Sequence, residues 1–434
     1  MNAVASAALP ASLMRLQAAF EQSAGAAMPI RRQALDKFMQ RGFPTTRDEN
    51  WKYTNLRRLE AREFVFGDAN AAMPADLSLA TDRLQLVFVD GHYRADLSST
   101  VQFDGLRITS LKQLQNNDAT KLSEALDTRA NTTCRFVALN TALTQDGVLI
   151  ELADNTRVAA PLFINFIWSA NSNSLMAHPR VVIRGGRHSQ LTVVEQYLGT
   201  GAVAHFNDAV TTVQLSDSAQ LEHVRIQNEN AASFHIGLLH AELAAHAQLT
   251  SHQINFGAAV GRMDINVFLQ GAEATVTLNG LQFASGQQHH DTHTRVEHCV
   301  PHTNSNEDYR GIADQRGRVV FNGKVVVAEH ARKTDAQQSS RNLLLAKTAE
   351  IDTKPELEIY NDDVKCAHGA TVGQLDANAL FYLRSRGLDE AQARALLTHA
   401  FADHIIGQLP VASLREELTS AGHARFGAEL EAQL

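Results

Sequence analysis

The fold class the chain predicts is mainly β: a parallel β-helix, or solenoid, core flanked by N-terminal and C-terminal α-helical regions. Three observations carry this. From about Leu149 to about Ala370 the chain is a series of short Val, Leu, Ile and Thr runs separated by Gly, Asn, Asp and Ser, and helix signals are scarce. The same zone repeats itself: a small residue, a glutamine and a leucine recur at Gln190, Gln220 and Gln248. Glu273 stands in a similar setting, so the steps are 30, 28 and 25 residues, roughly one solenoid rung. On either side the apolar spacing changes to that of helices. Stacked coils bury their apolar faces against the coils above and below, which accounts for the repeat. A β-sandwich is the competing all-β fold; it predicts frequent turn signals but no recurring small-Gln-Leu element.

Three zones follow, residues 1–148, 149–370 and 371–434. In the first, Leu13, Leu16 and Phe20 share one helical face, and after Pro29 so do Leu35, Phe38 and Met39. Further along, "LQLVFVDGHYRADL" sets Asp90-Gly91 between two extended runs, a hairpin signal. The middle zone is the repeating core. In the third, Asp376 caps a helix that Gly387 ends, and Asp389 caps one with Ala393, Leu397, Phe401 and Ile405 at four-residue spacing, ended by Gly407. Ser413 and Glu416 have the spacing of a capping box for a last helix. Such a folded helical tail caps the solenoid or docks a partner, and its removal after Gly373 is expected to leave the solenoid folded.

Composition narrows the function classes. With 434 residues the chain can bury a large core, and a formal net charge of −8 provides no overall basic field for nucleic acid or anionic lipid. Three widely spaced cysteines, Cys134, Cys299 and Cys366, form neither a disulfide framework nor a self-contained zinc module, which fits a reducing, cytoplasmic compartment. The longest apolar run, "VAAPLFINFIW", is too short to span a bilayer and contains Pro161.

Four segments bear on chemistry. In "NDDVKCAHGATVGQL", an extended strand would project Cys366 and His368 to one face, offering a thiolate and an imidazole to a thiophilic metal such as ferrous iron. Two donors are too few for a closed site, so further ligands must come from elsewhere in the chain or from another subunit; the alternative is a packed cysteine beside a hydrogen-bonded histidine. "HHDTHTRVEHCVPH" holds His289, His290, Asp291, His293, His298, Cys299 and His302, but at no standard zinc spacing. On a strand, His293, Arg295 and Glu297 share a face and His298 points away, which favours an ion-paired face over a metal site. "GRVVFNGKV" imitates a phosphate loop, yet five residues separate Gly317 from Gly323, and Val325 follows Lys324 where a hydroxyl should coordinate magnesium. "NEDYRGIADQRGR" could line the groove of a β-helix hydrolase or lyase acting on acidic polysaccharide.

With these residues assembled, "TRDENWKYT", "VFVDGHY", the run from Val319 to Asp376 and "LFYLRSRGL" resemble the SufB/SufD family of the Suf iron-sulfur cluster assembly machinery over nearly the whole chain. "ENWKYT" and "DDVKCAHG" are of the SufD kind, and three cysteines are too few for a cluster-holding set in one chain. The resemblance implies a right-handed parallel β-helix, pairing through it with SufB, and docking of the ATPase SufC by the C-terminal helices. A homodimer is a further state that the sequence leaves open for the chain when it is alone. His368 falls on the histidine of the family's K-C-x-H-G segment, implicated in nascent Fe-S cluster formation or iron entry at the SufB interface; Cys366 falls on the accompanying cysteine. The chain itself is then not an enzyme, and ATP hydrolysis belongs to SufC. Reduced flavin is associated with the complex, and no motif here locates it. The other classes are a SufB-like scaffold, a stand-alone metal-binding β-helix protein using the His289 to His302 segment, and the polysaccharide-acting enzyme.

Overall fold

The computed structural model describes residues 9–23, 28–100, 103–127, 134–169 and 173–426. Its centre is a parallel β-solenoid of about 8 turns. Each turn contributes one strand to each of two facing sheets. The first sheet runs from Gly147–Leu152 through Arg180–Gly185, Phe206–Leu215 and later coils to Glu350–Ile359, the second from Leu162–Ile167 through Gln190–Leu198 to Lys365–Gly373. Gln190, Gln220 and Gln248 open successive strands in exact-register parallel pairs, so the repeat marks real coils. The fourth member is corrected: Gln248 pairs with Thr275, followed by Asn304, Asp335 and Lys365. Glu273 lies two residues earlier, in the turn. There Asn155, His188, Ser218, His246, Glu273, His302 and Lys333 form a column of left-handed residues with φ between 57° and 63°. Such a conformation is uncommon outside glycine. Here each residue's N–H donates to a carbonyl of the next turn, which holds it in place.

Alternation decides what lies inside. Leu191, Val193 and Tyr197 of the second sheet meet Val213, Leu239 and Ile265 of the first in a continuous apolar lumen. Both outer faces carry helices. Ala11–Gln22 and Pro29–Arg41 bury Leu13, Leu16, Phe20, Leu35 and Phe38 against Phe206, Phe234 and Val260 of the first sheet, as the apolar spacing predicts. Met39 is only partly buried there. The segment "ENWKYT" fastens this layer: Thr54 Oγ1 donates to Asp291 Oδ2 at 2.5 Å, and the Arg262 guanidinium lies 4.1 Å over the Trp51 ring. The expected hairpin is present, with Asp90 at φ 51° and Gly91 at φ 85° turning Leu84–Val89 into His92–Tyr93. Leu84–Val89 also pairs in parallel with Leu162–Ile167, so the N-terminal zone adds a strand to the second sheet.

At the other end, helices Ala377–Ser385, Glu390–Ile406 and Ala412–Phe426 follow the solenoid. Asp389 and Gln392 form a reciprocal capping box at the start of the second. Its buried face is Ala393, Ala395, Thr398, Ala402, Ile405 and Ile406, with Leu397 and Phe401 half-buried. The expected capping box at Ser413 is absent: the helix begins at Ala412, Arg415 N–H reaches the Val411 carbonyl, and Ser413 Oγ instead accepts from Arg83. Leu409, Leu414 and Leu418 join Ile405 and Ile406 over Ile226, Ile254, Phe256 and Leu281, so the tail covers the outer face of the second sheet. Removing everything after Gly373 would therefore uncover an apolar sheet face, and the expectation that the solenoid survives that truncation is withdrawn.

Candidate functional site

Lys365–Gly373 is the last strand of the second sheet and pairs on one side only, with Asp335–Leu344. Cys366 stands beside Ala336 and His368 beside Gln338, both buried and inward-facing, so alternation puts the two donors on the lumen side of the terminal coil. No further coil covers them among the described residues. Cys366 is half-buried against the cluster of Val325, Val327, Ala331 and Ala336, and burial, reinforced by Asp335, pushes its thiol up. His368 is exposed. On the strand's other face, an added Cβ at neighbouring Gly369 would meet nothing within 4 Å.

The aspartates ahead of the pair belong to the turn. Asp363 accepts from Lys333 Nζ at 2.7 Å, and its N–H donates to Asn361 Oδ1 at 3.0 Å. Among the described residues no three His, Cys, Asp or Glu side chains are grouped as a metal site would require. Cys366 and His368 thus share the lumen face of the terminal strand, with no third such donor grouped beside them among the described residues.

The upstream histidines serve the fold. His290 is buried with Nε2 2.7 Å from the Gly257 carbonyl oxygen, and His298 sits between Thr303 Oγ1 at 2.8 Å and Ser305 Oγ at 2.9 Å. Burial lowers both imidazoles to about 4. On the outer face, His293 is 3.0 Å from Asp291, which also takes Arg262 at 2.6 Å, and Arg295 pairs with Glu297 at 2.6 Å. His298 points inward, as the alternation predicts. The phosphate-loop lookalike is strand Arg318–Val327, with Lys324 Nζ donating to Glu358 at 2.5 Å. Between "ENWKYT" and this face lies a cleft of about 1050 Å³ whose charged lining is largely paired within itself.

Sequence reasoning missed the polar groups inside the lumen. Glu229 accepts from Trp168 Nε1 at 3.1 Å and Gln227 Nε2 at 2.8 Å, with His235 Nδ1 2.8 Å away. Glu307 accepts from Thr294 Oγ1 at 2.5 Å and Gln338 Nε2 at 3.0 Å. The only signal for them is a polar residue at an inward position of the repeat, visible once the register is known.

A parallel β-solenoid with helices over both sheets, whose unpaired last coil carries a thiol and an imidazole on one face, defines a β-helix protein with one open end. The comparisons with known proteins agree on which. The profile of the SUF system FeS cluster assembly, SufBD core domain, matches residues 166–401, and that of the SufBD protein N-terminal region matches residues 15–164. The iron-sulfur cluster assembly protein SufD of Escherichia coli is 35% identical over 415 residues, 95% of each chain. An iron-sulfur cluster assembly SufBD family protein of Synechocystis is 32% identical, covering 89% of this chain and 88% of its own. SufD of Bacillus subtilis is 25% identical over 66% of this chain and 65% of its own. The chain belongs to the SufBD family of iron-sulfur cluster assembly proteins, and it is SufD-like. No helix among the described residues is long and apolar enough to cross a membrane.

Proposed function

We propose that this chain is a non-catalytic subunit of the Suf scaffold complex, pairing with SufB through the open end of the solenoid and docking the ATPase SufC through its C-terminal helices. The observation that carries the reading is the terminal coil: strands Glu350–Ile359 and Lys365–Gly373 have partners on one side only and bring Cys366 and His368 to the rim. An unpaired sheet edge is a template for another chain, and a half-set of ligands is completed by what that chain supplies. Ferrous iron or the nascent cluster is the cargo. His368, exposed, is the primary ligand on this side. Cys366 is secondary, because a thiol pushed up by burial yields less thiolate until iron or a partner cation arrives.

The test is His368→Ala in the co-expressed complex. Assembly should be unchanged, since one exposed imidazole contributes little to a wide interface, while the rate of cluster reconstitution falls about tenfold or more. Cys366→Ala should fall less. Wild-type reconstitution by His368→Ala, together with failure of a His290→Ala/His293→Ala variant that still assembles, would move the site to the upstream strand.

A further inference from the structure

Beneath His368 the lumen holds a column that continues the site inward. Glu307, Gln338 and His368 occupy one inward position of three successive coils of the second sheet, and Thr294, Gly323 and Pro355 the facing register of the first. Glu307 is fully buried, and its two contacts, Thr294 Oγ1 and Gln338 Nε2, are uncharged donors. Gln338 Nε2 donates to Glu307, so the NH₂ end of the amide faces the carboxyl and Oε1 is left as the amide's acceptor. That oxygen is buried and has no partner, on a side chain only 4% exposed. Buried acceptors are rarely left unpaired without a reason. Facing it is Gly323, where an added Cβ would come within 2.3 Å of Gln338 Nε2 and 2.7 Å of its Cδ. Glycine at that position lets the amide extend across the lumen. The next residue outward in the column, about 4.8 Å along the axis, is His368.

We propose that Gln338 is the positioning residue of His368: with the imidazole turned inward over the column, a contact this structure does not itself make, the unpaired Oε1 accepts a hydrogen bond from one ring N–H, Glu307 holds the amide in that orientation, and the other ring nitrogen is left unprotonated towards the open end. This rests on the reading of His368 as an iron ligand and specifies how that ligand is presented. A metal-binding imidazole needs one nitrogen free and the other anchored, and a neutral amide oxygen supplies the anchor without adding charge to the site. Burial pushes the Glu307 carboxyl up to about 7 against both donors, so the arrangement is held at a cost in stability.

The experiment is ¹⁵N NMR of the full chain with ring-labelled histidine, the His368 signals assigned from their loss in His368→Ala. In the wild type a single neutral tautomer dominates. Gln338→Met fills the same volume without an acceptor, and the tautomer ratio relaxes towards that of free imidazole; Glu307→Gln, which lets the amide turn over, gives a mixture. A His368 tautomer ratio that is the same in all three proteins overturns the proposal, and if Gln338→Met does not fold, Glu307→Gln carries the readout. In the co-expressed complex, Gln338→Met should slow reconstitution about tenfold with assembly intact. Normal reconstitution by His368→Ala would defeat the ligand reading, while the tautomer ratios would still decide the positioning.

Discussion

Glu307 and Glu229 are both fully buried in the lumen, yet their surroundings drive them in opposite directions. Burial would raise Glu229, but His235, Gln227 and Asn207 outweigh it and hold its carboxyl at about 2. Its contribution is present above the unfolded value near 4.5 and is lost as pH falls towards 2. Glu307 has no histidine beside it, and burial raises it to about 7. The folded chain then binds a proton that the unfolded chain releases between about pH 4.5 and 7, so stability declines across that window as pH rises. The carboxyl is a liability on the order of 3 kcal/mol above it. Glu307→Gln should raise the urea midpoint at pH 8 and leave it nearly unchanged at pH 4.5; an equal gain at both values would contradict the linkage. Glu229→Gln should instead destabilise at pH 8, by roughly 2 to 4 kcal/mol, because it removes the charge around which four donors are arranged.

Among the elements, the C-terminal helices divide the work. Glu390–Ile406 and Ala412–Phe426 are bound into the molecule by Ile405, Ile406, Leu414 and Leu418. Ala377–Ser385 buries no residue, and Phe381 and Tyr382 are 76% and 56% exposed. Two exposed aromatics on a capped helix are suited to anchoring a partner. Phe381→Ser/Tyr382→Ser should leave thermal stability unchanged and weaken SufC binding about tenfold or more, measured by calorimetry. Undiminished affinity would place the docking surface on another helix. Truncation after Gly373, by contrast, should give an aggregating chain, because it exposes Ile226, Ile254 and Phe256.

At the scale of the whole molecule, the solenoid is asymmetric in how its ends are finished. The first coil is extended by Leu84–Val89 in one sheet and by antiparallel Leu106–Ser110 in the other, whereas the last coil ends in bare strands. Pro355 lies in one of them, Glu350–Ile359, and proline is tolerated in a strand chiefly at a sheet edge. Tyr360 and Val372 are exposed at that end, 64% and 44%. Tyr360→Lys/Val372→Lys should keep the melting temperature within a few degrees and abolish co-purification with SufB, since charge on an edge strand opposes edge pairing. Retained pairing would locate the interface away from the open end. Native mass measurement of the same variant alone reports whether a homodimer uses that edge.

Local and near-local physics made much of this legible in the sequence. The caps at Asp376 and Asp389, the left-handed pair Asp90-Gly91 and the helical stripe of Leu13, Leu16 and Phe20 depend on residues a few positions apart. The repeat at Gln190, Gln220 and Gln248 announced the coil length, and alternation alone put Cys366 and His368 on one face. The tertiary structure decided which face is inside and what stands one coil away. Glu273 matched the repeat in composition, but the turn claimed it and set the register two residues later. Ser413 had the spacing of a cap, but the chain entered the helix early. His290 and His298 differ from His368 in nothing a short motif records, yet two are buried as ordinary core groups and one stands at the rim. In a solenoid a side chain's neighbours lie some thirty positions away, so Glu307, Gln338 and His368 become a column only when the turns have fixed the register.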